Sequence, residues 1–411
     1  MTIRWITPLL GTAAFNGVQG ITDITVVDVR DLVDKAGNNS NAILNKIHQA
    51  IDLITQGKRT VVCCDYGMSR SNAIAVGIIV NLEKIPFNQA LRQVQEATGE
   101  AEIKLDPLNA VRQALGVNIK KAKYSQYRNI LITGGRGFIG TALQEALINS
   151  EFRLISPTRE QIDIVAGSTK LDLLASEENI DCIVHLANPR VYTSNIAMGH
   201  TLTMLRNIID VCLAKDIPLI YPSGWEIYSG YAGTIHVDES TPALPRGPYG
   251  ETKYLSELLI EHCCRTRGLR CAMLRSSPVY GSMSDKPKFI FNFFKKAIQG
   301  QKIVTHRYMN GNPKLDLLHI DDFVSSIIAT LKSRFIGNLN IGTGQLNSTL
   351  QIAEMIRDEL GSPSMIEQIE VNTEVASIAM NYGRANLELG WEPITPFNQG
   401  LKSLLSQIST N

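Results

Sequence analysis

Tyr249-Gly250-Glu251-Thr252-Lys253 sets a phenol and an ammonium four residues apart, which on a helix turns both to one face. An ammonium beside a phenol favours the phenolate. Such a tyrosine passes a proton to or from a carbinol or carbonyl while hydride moves to or from a nicotinamide, and the lysine reaches the nicotinamide ribose. A second reactive pattern is Cys64-Asp65-Tyr66-Gly67-Met68-Ser69-Arg70-Ser71. At a turn from strand to helix its backbone N–H groups form an anion-binding nest. The same field lowers the thiol pKa of Cys64 and makes it a thiolate nucleophile. Arg70 can grip two phosphate oxygens at once, and Ser71 can hydrogen-bond the sulfur and help it leave. The third pattern is Gly134, Gly137 and Gly140 in Thr133-Gly134-Gly135-Arg136-Gly137-Phe138-Ile139-Gly140.

The elements that must hold these groups are readable from pattern. Ile130-Leu131-Ile132 is a buried strand and Thr141 to Leu147 a helix, with the glycines between them. Gly134 permits the turn, Gly137 lets backbone approach a pyrophosphate, and Gly140 lets helix and strand pack closely. The phosphates then sit on the helix N-terminus, along Gly137, Phe138, Ile139 and Gly140. The next strand, Arg153-Leu154-Ile155, ends in Ser156-Pro157-Thr158-Arg159. No carboxylate waits there for ribose hydroxyls, and Arg159 suits a 2′-phosphate, so NADP is expected over NAD. Asp163 is placed near the adenine. The strand Asp181 to Ala187 brings Leu186 and Ala187 beside the cofactor, with His185 as a structural strand-end residue. Pro218-Leu219-Ile220-Tyr221 is a further strand, followed by Ser223.

In the first part of the chain, Asp23 to Val29 and Thr60 to Cys63 read as strands. Ala42 to Gln56 and Asn72 to Leu82 read as helices. Lys120 to Arg128 is polar, basic and aperiodic. The expected organisation is therefore α/β throughout: a first domain over 1–118, a linker over 119–128, and a second domain over 129–411.

With 411 residues, two or three domains are expected. Net charge is +1, from 40 basic and 39 acidic residues, which gives no electrostatic case for nucleic acid or a membrane surface. Seven cysteines form no C-x-x-C pair, which argues against a disulfide framework or zinc site and for a reducing compartment. No apolar run has signal-peptide or membrane-spanning character, so a cytoplasmic protein is expected, with no metal.

The Cys64 to Ser71 run resembles the phosphate loop of the dual-specificity-like cysteine phosphatases, whose pattern is His-Cys-x-x-Gly-x-x-Arg-Ser. Pro8-Leu9-Leu10-Gly11 is similar to that branch's opening Pro-x-Leu-x-Gly. The resemblance implies an aspartate general acid on the loop between the two strands. Asp31 and Asp34 both qualify, and Asp34, further out on the Lys35-Ala36-Gly37 turn, is the choice. Cys63 stands where that family has histidine; a neighbouring thiol also allows a reversible link to Cys64 under oxidation.

The second part resembles the extended short-chain dehydrogenase/reductases, the group of nucleotide-sugar epimerases, dehydratases and reductases. Besides the glycine run, Leu274-Arg275-Ser276-Ser277-Pro278-Val279-Tyr280-Gly281, Leu318-His319-Ile320-Asp321-Asp322, Asn340-Ile341-Gly342-Thr343-Gly344 and Leu389-Gly390-Trp391-Glu392-Pro393 are similar to its dispersed signatures. This implies a Rossmann-type doubly wound parallel sheet with a small C-terminal substrate lobe, and a homodimer through the Tyr249 helix and the one before it. It also implies a catalytic Ser or Thr four residues before Tyr228. Gly224 stands there, so either Ser223 takes the role after a small loop shift or carbonyl polarisation rests on Tyr249 and Lys253 alone. Glu226 sits where dehydratases carry a catalytic glutamate, but their aspartate neighbour is replaced by Trp225. Leu315 replaces an arginine that clamps the nucleotide, with Lys314, His306 and Arg307 as substitutes.

The function expected is a bifunctional enzyme. An NADP(H)-dependent oxidoreductase or epimerase acts on a sugar, sugar phosphate or nucleotide sugar, and the N-terminal domain takes a phosphorylated substrate. The alternatives are a cofactor-binding redox sensor with degenerate catalysis, or a phosphatase whose second domain is a scaffold.

Overall fold

In the computed structural model, which describes residues 3–35, 37–100, 103–117, 127–189, 194–281 and 288–409, the β-branched runs of the first part pair as parallel neighbours. Most of the stretch read as a linker lies outside the described residues. The strands are β1 (Arg4–Trp5), β2 (Leu10–Ala14), β3 (Thr25–Asp28) and, after helix α1 (Ser40–Thr55), β4 (Thr60–Cys64). The sheet order is β1-β2-β4-β3, with β4 parallel to both neighbours and β1 antiparallel to β2. Every residue of β4 is buried, as a central parallel strand requires. Helices α2 (Arg70–Glu83), α3 (Phe87–Thr98) and α4 (Leu105–Ala114) follow. The Asn39 side chain caps α1 by accepting from the N–H groups of Asn41 and Ala42. Adjacent residues on a strand face opposite ways, so Cys63 joins Ala13, Val18 and Val61 in one core cluster while Cys64 turns away. That geometry removes the expected link between the two thiols.

The second part begins with β5 (Asn129–Thr133), α5 (Phe138–Leu147) and β6 (Arg153–Ile155). Then come α6 (Thr169–Glu177), β7 (Cys182–His185), α7 (Asn195–Lys215) and β8 (Leu219–Gly224). A 3₁₀ turn at Trp225–Tyr228 leads to β9 (Gly233–Val237), α8 (Pro248–Arg267) and β10 (Cys271–Ser276). Further along come β11 (Val279–Tyr280), α9 (Lys288–Ile298), β12 (Ile303–Tyr308), β13 (Lys314–Asp316), β14 (Leu318–His319), α10 (Ile320–Ser333) and β15 (Gly337–Ile341). Six strands form one sheet in the order β15-β10-β8-β7-β5-β6, and every pairing in it is parallel. This is the α/β Rossmann-type arrangement. The chain runs from β5 out to β6 and returns across to β7, so the order reverses at β5 and opens a crevice between the C-terminal ends of β5 and β7. One face of the sheet, from Ile130, Ile132, Val184, Ile220 and Leu274, packs on α5 and α10 in a single core. A second core joins Tyr280, Phe293, Ile303 and Ile356 in the C-terminal lobe. Among the described residues no helix is long and apolar enough to cross a membrane.

The units differ from the boundaries expected at 118 and 129. One unit contains Met1–Lys123, Arg159–Ile180 and Arg206–Ile217; the other contains Tyr124–Thr158, Asp181–Leu205 and Pro218–Asn411. A buried charge cluster inside the first unit supplies the reason. Arg112 of α4 donates to Asp172 of α6 at 2.6 Å, and Lys215 at the end of α7 reaches the same carboxylate at 2.9 Å. Ile103 N–H donates to Thr169 Oγ1 at 2.9 Å beside them. Burial raises the Asp172 pKa, but the charges of Arg112 and Lys215 outweigh it and hold the group below the usual carboxylate range. A folded pKa below the unfolded value of about 3.9 stabilises above that pH, and the contribution is lost as pH falls through the folded value. Replacing Asp172→Ala leaves two cations facing each other and is expected to cost about 3–5 kcal/mol, measured by urea unfolding at neutral pH.

Candidate active site

The crevice between β5 and β7 is built for close backbone approach. Gly134 has φ +72°, and a Cβ there would stand 2.6 Å from Ala187 N and 2.7 Å from the Leu186 carbonyl carbon. Gly134 is therefore fixed as glycine by conformation and by space. A Cβ on Gly140 would lie 2.6 Å from Gly135 Cα. Gly137 donates its N–H to Gly134 O at 2.9 Å and stands as N-cap of α5 with no side-chain cap. The first N–H groups of α5, those of Phe138, Ile139 and Gly140, are thus left to a ligand. Backbone donors, a glycine cradle and the positive end of a helix suit the pyrophosphate of a dinucleotide. His185, beside this crevice, shares a 2.7 Å hydrogen bond with Thr133 Oγ1 and stacks on Tyr221. Burial pushes its pKa down to about 3, so it is a neutral structural residue.

Helix α8 brings Tyr249 and Lys253 to the end of β8. Pro248 is its first residue, where fixed φ suits a helix start. Lys253 is 9% exposed. Its Nζ donates to Pro222 O at 2.8 Å and lies 4.8 Å from the Tyr221 ring centroid and 5.8 Å from that of Tyr249. Burial opposes the charge, but Tyr221, Tyr249 and Glu226 outweigh it and raise the lysine's pKa. One turn further along, Glu257 accepts from Arg275 of β10 at 2.8 Å, and Arg275 also donates to Tyr228 Oη at 2.9 Å. Both members of that pair are buried. Glu257 went unnoticed in the sequence, although its spacing of four from Lys253 would have put it on the same helix face.

β8 runs without interruption through Ser223 and Gly224, and its register pairs them with Arg275 and Ser276. Ser223 therefore shares a face with Tyr221, while Gly224 presents the other. The loop shift that would move Ser223 into position 224 does not occur. Ser223 Oγ is buried and makes no hydrogen bond in the protein. A Cβ placed on Gly224 would overlap Glu226 Oε2. Glu226 is half-buried, and loss of water around its carboxyl pushes the pKa up to about 7, against the pull of Lys253.

Arg159 and Asp163 form an exposed i,i+4 ion pair at 3.4 Å, and Asp163 also accepts from Val165 N–H at 3.0 Å. Asp163 thus stiffens its own turn. Lys314, His306 and Arg307, the substitutes for a nucleotide clamp, are exposed on β13 and β12.

The Cys64 turn of the first unit holds its sulfur in a ring of donors. Gly67 N–H donates to Sγ at 3.2 Å, and Ser71 Oγ is hydrogen-bonded to it at 3.4 Å. Gly67 takes φ +71°, and a Cβ there would collide with the Ala13–Ala14 peptide. Burial raises the thiol's pKa, but hydrogen bonds from Ser71, Gly67 and Tyr66 outweigh it and hold Cys64 below the ordinary cysteine range. Cys63 is the opposite case, pushed up to about 11 chiefly by burial. Arg70 opens α2 and pairs with Asp65. It donates to Arg30 O at 3.2 Å and Leu32 O at 2.8 Å, which ties the loop bearing Asp31 and Asp34 to the Cys64 turn. Its Nε is buried without a partner. Asp31 pairs with Lys46 and Asp34 with Lys104.

The model of the NAD dependent epimerase/dehydratase family matches residues 130–342. A putative UDP-glucose 4-epimerase of Methanocaldococcus jannaschii is 28% identical over 69% of this chain and 99% of its own length. Among solved structures, the dTDP-glucose 4,6-dehydratase of Bacillus anthracis in complex with NAD aligns at a TM-score of 0.62 and 23% identity, over 69% of this chain and 97% of its own. RMD of Pseudomonas aeruginosa, complexed with NADPH, aligns at 0.60 and 20% identity, over 69% and 99%. At these identities the structural matches establish the fold.

Gly134→Ala is expected to abolish nicotinamide-cofactor binding while the protein stays folded, read by NADH and NADPH fluorescence titration beside circular dichroism. Cys64 is expected to be alkylated by iodoacetamide with a midpoint below the free-cysteine pKa of about 8.5. Comparing wild type with Cys64→Ser checks this, because a midpoint unchanged from free cysteine would mean the ring of donors does not stabilise the thiolate.

Proposed function

The chain belongs to the NAD dependent epimerase/dehydratase family, and on that premise we propose that it oxidises, reduces or epimerises a sugar-like substrate, free, phosphorylated or nucleotide-linked. The observation that carries the reading is the convergence of Tyr249 and Lys253 at the C-terminal end of β8, in the same unit as the glycine cradle. A bound nicotinamide supplies or accepts the hydride; the chain's part is binding and proton management. The N-terminus of α5 and the Gly134 turn hold the pyrophosphate. Tyr249 donates a proton to, or withdraws one from, the oxygen of the reacting carbon. Lys253, kept cationic, stabilises negative charge on that phenol. Ribose recognition supports NADP over NAD: no acidic residue stands in Ser156-Pro157-Thr158, and Arg159 can leave an exposed partner for a 2′-phosphate at little cost, since such pairs contribute about 0.3–0.5 kcal/mol. The free state of the seven cysteines agrees with a cytoplasmic setting.

A second activity is favoured by the Cys64 turn. Sulfur ringed by donors at the start of the helix that Arg70 opens, with the buried Arg70 Nε left without a partner, suits attack on a phosphate ester, with Asp34 or Asp31 as proton donor to the leaving oxygen. One phosphorylated sugar serving both sites gives the fusion a reason.

Tyr249→Phe is expected to lower turnover of a sugar phosphate or UDP-glucose by roughly 10²–10⁴-fold while leaving cofactor affinity intact; a redox sensor would show no turnover to lose. Arg159→Ala is expected to weaken NADPH binding and spare NADH. Hydrolysis of an aryl phosphate should disappear in Cys64→Ser, and its absence from wild type would remove the second activity.

A further inference from the structure

Polarising a carbonyl, or steadying a developing alkoxide, takes more than one donor around the oxygen. Tyr249 is one. Lys253 spends a hydrogen bond on Pro222 O, and Ser223, on the strand face opposite position 224, has its Oγ buried. At the end of that strand, position 224 has no side chain of its own. The carboxyl of Glu226 fills the space, with Oε2 where a side chain on Gly224 would begin.

We propose that Glu226 donates the second hydrogen bond to the reacting oxygen of the substrate, from its carboxyl, in the place a hydroxyl at position 224 would take. The proposal rests on the reading of Tyr249 and Lys253 as the proton-handling pair. Its geometry comes from the short turn Trp225–Tyr228, which folds the Glu226 side chain back over Gly224. That turn is held against the first turn of α8, where Gly250 leaves no room for a Cβ beside Glu226 O. The residue keeps part of its surface open, as contact with a substrate requires.

A carboxyl donates only when protonated. Burial brings the Glu226 pKa to about 7, so the donor form is substantially populated at neutral pH. Lys253 on α8 is the charged group set against it, flanked by the phenols of Tyr249 on α8 and Tyr221 on β8; from β10 the Ser276 backbone approaches Gly224. The sign follows. A donor is present below about pH 7 and lost above it, opposite to the behaviour of a carboxylate base.

The test uses the full chain. Infrared titration of wild type against Glu226→Gln, without cofactor, should show one protonated-carboxyl band that fades as pH rises through neutrality and is missing from the variant. Turnover is then followed with UDP-glucose and with glucose 6-phosphate as probes, supplying NADP or NAD. Glu226→Ala should lose about 10²-fold. Glu226→Gln, whose amide still donates, should stay within about tenfold of wild type at neutral pH and lose the fall in rate above pH 7. Adding Gly224→Ser to Glu226→Ala should recover most of the loss. Glu226→Gln as inactive as Glu226→Ala would overturn the proposal in favour of a carboxylate base. A wild type without the titrating band, a fully active Glu226→Ala, or a Ser223→Ala variant that alone reproduces the loss would overturn it too. Should wild type bind neither NADPH nor NADH, the reading of Tyr249 and Lys253 fails and the proposal falls with it. If wild type binds cofactor but turns over neither probe, the band decides: displacement on adding UDP-glucose supports the proposal, and a band unmoved by either bound probe counts against it.

Discussion

Lys253 carries a full charge to a place where less than a tenth of its surface meets water. A charge persists there only if fixed dipoles and polar groups replace the lost hydration. The Pro222 carbonyl and the two tyrosine rings make that replacement. They come from β8 and α8, so satisfying the ammonium aligns the two elements. The Glu257–Arg275 pair repeats the device one helical turn away and ties α8 to β10. With the helix pinned at two buried charges, Tyr249 is set relative to the end of β8 before any ligand arrives. Preorganisation of this kind is what makes a proton donor effective.

The features legible in the sequence were those that depend on a single residue's backbone or on a short period. Gly134 and Gly140 were readable because the turn excludes any Cβ, a demand that leaves its mark in residue type. Tyr249 and Lys253 were readable because a spacing of four is itself the geometry. The parallel sheet followed from short apolar strands alternating with helices, and β4 and β8 appear close to where the pattern put them. Glu226 was visible only through the resemblance, at the place of a dehydratase's catalytic glutamate but beside Trp225 instead of an aspartate. Its role depends on a side chain bending back across two positions into space that glycine leaves, and no periodicity records that. The choice between Ser223 and Gly224 turned on whether the strand continues one residue further, which the register with β10 decides.

Contacts divide the chain differently from composition for a similar reason. Composition marks Lys120 to Arg128 as a connector, and covalently it stands between the two folds. Contacts follow Arg112 and Asp172 instead, sixty residues apart in sequence, and draw Arg159–Ile180 and Arg206–Ile217 into the first unit. Likewise, the two thiols adjacent in sequence have opposite chemistry because a pleated strand sends one into an apolar cluster and the other into a nest of donors.

The Arg112–Asp172–Lys215 cluster also bears on how such a chain can evolve. Once an aspartate with no exposed surface depends on an arginine from the N-terminal segment, a lineage that discards that segment leaves Asp172 balanced by Lys215 alone and opens the surface around it to water. An aspartate beside a lysine in water is an ordinary surface pair, worth little either way. The Asp172–Lys215 pair is therefore cheap to keep while uncovered, and it becomes an obligate contact only once Arg112 closes over it.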